Sequence, residues 1–129
     1  MTAKKSISTT KAPAAIGPYS QAISAQGLLF VSGQLPIDPA TGTLIKDDIE
    51  AAAHQVFTNL RAIAEAAGIT LDHAVKTTVF MADLADFKAV NAVYAQYFAT
   101  PFPARSAIQV AALPLGGTIE VEAIFALEG

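Results

Sequence analysis

Only two stretches of this chain carry the three- and four-residue spacing of an amphipathic helix, whereas five others read as strands. From Asp48, apolar residues recur at Ile49, Ala52, Ala53, Val56, Leu60, Ile63, Ala64 and Ala67 until Gly68 stops the pattern. The same spacing returns between Asp83 and Phe98, through Phe87, Val90, Tyr94 and Tyr97. Around them, YSQAISAQGLLFVSGQLP reads as two strands joined at Gln26-Gly27. HAVKTTVFMA reads as a third strand, and residues near 105–110 and 118–127 as the last two. The predicted order is β-β-α-β-α-β-β, an α+β domain whose two helices cover one face of a sheet. The opposite face needs another cover, and the sequence offers no third helix. We therefore expect that face to pack against further copies of the chain in a closed oligomer.

Composition agrees with a shared apolar surface. Hydrophobic residues make up 53% of the 129 and charged residues only 15%, more apolar than the surface of one small monomer ordinarily carries. The length fits a single domain, 1–129, with residues 1–12 read as a mobile start and the stiff segment Pro13 to Pro18 as the ordered beginning. A net charge of −3 gives no broad cationic field, so nucleic acid and anionic membranes are not expected partners. With no cysteine the chain has no disulfide, no thiol nucleophile and no thiolate metal ligand. Neither the apolar core of a secretory signal nor a membrane-spanning run is visible, and a cytoplasmic protein is expected.

Several chemistries drop out. No Gly-Lys-Ser/Thr phosphate loop and no G-x-G-x-x-G turn occurs. His54 and His73, the only histidines, stand in no arrangement that brings two imidazoles to one metal, so no metal site is expected. No serine or threonine has an adjacent base to activate it.

What remains are polar groups set into apolar strands. Thr118, Glu120 and Glu122 alternate with Ile119, Val121, Ala123, Phe125 and Leu127, so the carboxylates share one face; a plain solvent-facing row fits the same pattern. Arg105 shares a face with Ala107 and Gln109. Its guanidinium suits two parallel hydrogen bonds to a carboxylate, and the small neighbour leaves room for a ligand. The competing reading is an internal ion pair with Glu120 or Glu122, since spacing leaves the strand register open. Ser32-Gly33 reads as a strand end, or as a place where a ligand approaches the main chain. Tyr94 and Tyr97 read as core, and Asn91 as core or site.

The blocks APAAIGPYSQAI, FVSGQLPIDPATG, VKTTVFMADLADFKAVNAVYAQYF, PFPARSAIQV and IEVEAIFALE together resemble the reactive intermediate deaminase family, also called the YjgF family, over nearly the whole chain. The resemblance implies a chorismate-mutase-like α+β fold, assembled as a homotrimer with small-ligand sites in clefts between subunits. It implies hydrolysis of 2-imino acids, such as 2-iminobutanoate and 2-iminopropanoate, to 2-oxo acids and ammonia, with no cofactor or metal. Block by block, the resemblance gives Arg105 the role of clamping the substrate carboxylate and Glu120 that of orienting the attacking water. It places Tyr19, Ser32, Gly33, Phe87 and Asn91 in the substrate pocket. Ala107 stands where many relatives have cysteine, which bears on substrate preference and oxidant sensitivity, and the stretch from Phe98 to Phe102 looks short. The rival class is a non-enzymatic trimeric module that binds small carboxylates. Some relatives have been described as ribonucleases, a reading that the sparse lysine and arginine of this chain disfavour.

Overall fold

A computed structural model describes residues 3–128. Six strands form one sheet: β1 (Lys5–Ile7), β2 (Ala22–Ala25), β3 (Leu28–Gln34), β4 (Ala74–Met81), β5 (Ala104–Gln109) and β6 (Ile119–Ala126). Helix α1 (Ile49–Ala66) follows β3, and α2 (Phe87–Tyr97) links β4 to β5. The spatial order is β1-β2-β3-β6-β4-β5. Strands β4 and β5 are parallel, as a helical crossover requires, and the other neighbours are antiparallel, so the sheet is mixed.

Local chemistry accounts for the element ends. Gln26 and Gly27 both take positive φ, 55° and 75°, the geometry of a tight two-residue hairpin turn between β2 and β3. Asp48 accepts from the amides of Glu50 and Ala51 and so caps α1. At the other end Gly68 adopts a φ of +81°, and the amides of Gly68 and Ile69 return to the carbonyls of Glu65 and Ala64. Asp83 caps a short 3-10 turn, Leu84–Asp86, that leads into α2.

The core lies between the helices and one face of the sheet. Helix α1 buries Ala52, Ala53, Val56, Phe57, Leu60, Ile63 and Ala64 against inward residues such as Leu29, Val79, Val121 and Phe125. Burying each large side chain of this kind contributes roughly 1.5 to 3 kcal/mol. Phe57 meets Tyr94 and Phe98 edge-on, with centroids 5.5 and 5.8 Å away, which ties α1 to α2. Among the described residues no helix lies over the other face, and Phe30 and Ile108 are 42% and 45% exposed there.

The expected strand order is corrected in one respect, because a sixth strand precedes the others: β-β-β-α-β-α-β-β. Strand β1 lies within the stretch read as a mobile start, and it is held there by antiparallel pairing of Lys5, Ser6 and Ile7 with Ser24, Ile23 and Ala22 of β2, while Gln21 holds the segment that follows it. Its side chain, 4% exposed, accepts from the Thr9 amide at 2.7 Å and donates to the carbonyls of Thr9, Ala12 and Pro13. One amide thereby satisfies backbone groups of the irregular segment between β1 and β2. Among the described residues no helix is long and apolar enough to cross a membrane.

Replacing this amide should loosen the N-terminal segment without disturbing the rest. We expect Gln21→Ala to lower the unfolding free energy by about 2 to 3 kcal/mol, since several buried backbone groups lose their partner. Hydrogen exchange should report the largest loss of protection at Thr9 and along β1, beyond the smaller, uniform fall that the lower global stability brings to α1.

Candidate active site

Strand β5 is the sheet edge, and it presents Arg105 beside α2. The helix repeat puts Phe87, Asn91 and Tyr94 on one stripe facing that strand. Arg105 donates from Nη1 to Asn91 Oδ1 at 2.7 Å. Its guanidinium carbon lies 4.7 Å from the Tyr94 ring centroid and 5.4 Å from that of Phe87. Tyr94 is itself fixed by a 2.8 Å hydrogen bond between its hydroxyl and that of buried Thr77, the register partner of Arg105 on β4. Burial pushes the Tyr94 phenol above its usual range, while the Thr77 hydrogen bond and the Arg105 charge oppose that shift. The amide of Leu84 donates to Gln109 Oε1 at 2.9 Å, which fastens the start of α2 to the same strand.

Two clefts meet at Arg105. One, of about 410 Å³, lies among Asn91, Tyr94, Phe102 and Pro103; the other, of about 460 Å³, lies among Leu84, Phe87 and Ala107. A cation gripped by one neutral amide and two aromatic faces keeps donors free for an anion, and the size of both clefts suits a small organic acid.

Glu120 occupies a different place. It sits on β6 opposite a register shift between Val31 and Gln34 of β3, where a bulge re-aims side chains. Gly33 is the residue that admits it: a Cβ there would come within 2.8 Å of the Glu120 carboxyl group. Tyr19, Ser32, Gly33, Glu120 and Glu122 line a cleft of about 600 Å³ whose mouth carries the exposed side chains of Ile16 and Leu115. The Ser32 hydroxyl donates to the Ser20 carbonyl at 2.6 Å and so holds the segment bearing Tyr19. Buried Asn59 donates to the carbonyls of Leu35 and Ile37, which fixes the turn beyond β3. Burial, and then the neighbouring Glu122 charge, raise the Glu120 carboxyl above its usual 4.5.

Within one copy these two groups cannot meet. Thr77 of β4 pairs with Arg105, whereas Phe80, three residues on, pairs with Glu120. Residues an odd number apart on a strand point to opposite faces, so Arg105 lies on the helix side and Glu120 on the uncovered side. An internal ion pair between Arg105 and Glu120 or Glu122 is thereby excluded. The sequence-predicted residues divide accordingly: Phe87, Asn91, Arg105 and Ala107 form one group, and Tyr19, Ser32, Gly33 and Glu120 the other. The sequence reads Tyr94 as core rather than site. It is 5% exposed, yet it also carries the guanidinium on its ring. Its place three residues after Asn91 and seven after Phe87 was the available signal.

The raised carboxyl has a stability consequence. The folded chain holds the Glu120 proton to higher pH than the unfolded chain, so this contribution is fully present below about 4.5 and is lost as pH rises through the folded value. At concentrations that keep the chain single, Glu120→Gln should be more stable than the parent at pH 7, with the two converging toward pH 4. Denaturant titrations across that range check the sign.

The family model described as Endoribonuclease L-PSP matches residues 9–127. A RutC family protein of Sinorhizobium fredii is 54% identical over 94% of this chain and 96% of its own length. A goat (Capra hircus) protein named 2-iminobutanoate/2-iminopropanoate deaminase is 54% identical over 94% of this chain and 88% of its own. The crystal structure of a conserved Rid-family protein from Yersinia pestis superposes with a TM-score of 0.94 at 50% identity, covering 96% of this chain and 99% of that one. With a family match along almost its full length and such relatives, the chain belongs to the Endoribonuclease L-PSP family, the group whose sequence blocks carry the reactive intermediate deaminase resemblance.

Proposed function

We propose that this chain is an enzyme that hydrolyses 2-imino acids to 2-oxo acids and ammonia, and that its site is completed by a second copy. The observation that carries the reading is the Arg105 guanidinium, held at two small clefts by a neutral amide and aromatic rings. The deaminase name borne by a relative 54% identical supports it independently.

The substrate carboxylate takes two donors of the Arg105 fork. Phe87 and Ala107 wall the space beside it, and Asn91 steadies the guanidinium. A neighbouring copy then supplies the other half, with its Gly33 main chain, Tyr19 ring and Glu120 carboxylate against the imine carbon. Water adds to the carbon of the protonated imine, the C=N π pair passing to nitrogen to leave a C–N single bond; the proton lost by the water then passes to that nitrogen, which leaves as ammonia while the hydroxyl collapses to the carbonyl. Because an imine already hydrolyses in water, orientation and charge placement suffice. Arg105 brought from a neighbour favours the ionised form of Glu120, which offsets the burial that raises it. Glu120 then positions the water and accepts its proton as the tetrahedral species forms.

A head-to-tail contact repeated around a ring covers the bare sheet face of each copy and closes as a homotrimer. The exposed Phe30 and Ile108 become part of that cover. Eleven acidic residues against eight basic ones favour a small carboxylate over an RNA backbone as the ligand.

Two measurements test this. A dehydratase-generated 2-iminobutanoate pool trapped with semicarbazide reports whether the chain accelerates imine loss. Arg105→Ala should lower kcat/KM by about a hundredfold or more, and Arg105→Lys should fail as well, because a point charge does not replace the fork. Near-normal turnover by either variant refutes the clamp. The second measurement mixes Arg105→Ala with Glu120→Ala after joint unfolding and refolding. Random assembly in a ring restores one intact Arg–Glu pairing in about four, so about a quarter of parental activity should return. No recovery would place both groups in one copy's site.

A further inference from the structure

We propose that Asn91 is a positioning residue for Arg105 whose lack of charge keeps the guanidinium available to a small carboxylate. The inference deepens the imine-hydrolase reading and rests on it for the identity of that carboxylate. Three side chains immobilise the cation: Asn91 through a 2.7 Å hydrogen bond, and Tyr94 and Phe87 through ring faces 4.7 and 5.4 Å away. None of the three neutralises it. A ring face attracts a cation by its quadrupole and an amide oxygen by its dipole, so the charge is oriented while its outward field persists.

An aspartate at position 91 would have nearly the same shape and could accept the same hydrogen bond. It would also bring a full negative charge into contact with Arg105, and the resulting pair would compete with any incoming carboxylate. The structure uses the residue that keeps the geometry and leaves the charge unpaired. Leucine makes the opposite change, retaining volume and cation while removing the acceptor that fixes the planar fork.

The two substitutions therefore separate charge from orientation. Binding of 2-oxobutanoate, the stable product, is followed by calorimetry on the assembled protein, and turnover by the semicarbazide assay. Asn91→Asp should weaken 2-oxobutanoate binding at least about fivefold while its thermal midpoint stays level or rises, since it gains an ion pair. Asn91→Leu should bind within about threefold of the parent, yet lose about tenfold or more in kcat because the clamped substrate is no longer held in register. Asn91→Asp binding within twofold of the parent overturns the proposal, and so does Asn91→Leu binding as poorly as Asn91→Asp, which would make shape the determinant. A parent protein that binds 2-oxobutanoate without accelerating imine loss overturns the hydrolase, and the ranking of the three affinities still decides the role of Asn91. A parent that does not bind 2-oxobutanoate overturns both.

Discussion

The pleat of three adjacent strands governs what one copy of this chain can do. Strand β4 lies between β6 and β5, and its Thr77 and Phe80 carry Arg105 and Glu120 to opposite sides of the sheet. Side-chain rotation does not cross a sheet, so no rotamer change unites the two groups. In the proposed ring, covering the bare face and completing the site become one event. The apolar surplus of the sequence and the division of its polar residues then have a common cause.

Each half is electrostatically incomplete by itself. Arg105 has an amide and two rings for company, and Glu120 has Glu122 and a partly buried position that raises its carboxyl. Gly33 is what permits the second arrangement, since any side chain there would occupy the space of the Glu120 carboxyl group. In the proposed ring, a guanidinium docking against the Glu120 cleft would relieve the like-charge repulsion between the two glutamates, and a substrate carboxylate would occupy what remains of the fork. In that proposal, charge complementarity links assembly to ligand binding.

Local chemistry was largely legible in the sequence. The Gln26-Gly27 turn, the Asp48 cap, the Gly68 stop and the alternation along β6 each follow from a few neighbouring residues, and the structure has all four. What could not be read depends on distant partners. Strand β1 has only three residues and no alternation of its own, and it is recruited by pairing with distant β2, with Gln21 pinning the segment between them. The separation of Arg105 from Glu120 follows from the registers in which β5 and β6 pair with β4, which no local pattern encodes. Tyr94 was placed in the core correctly, but a side chain that fills a core on one side can support a cation on the other.

The stripe of Phe87, Asn91 and Tyr94 also limits how this chain can change length. All three lie in a helix of eleven residues, so their mutual placement is measured in helical turns. Inserting or deleting a single residue between them swings part of the stripe by about 100° around the axis and scatters the cradle. The connection from Ala99 to Pro103, beyond the buried Phe98 ring, lies outside the helix, and a length change there reshapes the rim beside Phe102. That loop is therefore where a change of length could alter which molecules fit while leaving the Arg105 cradle intact.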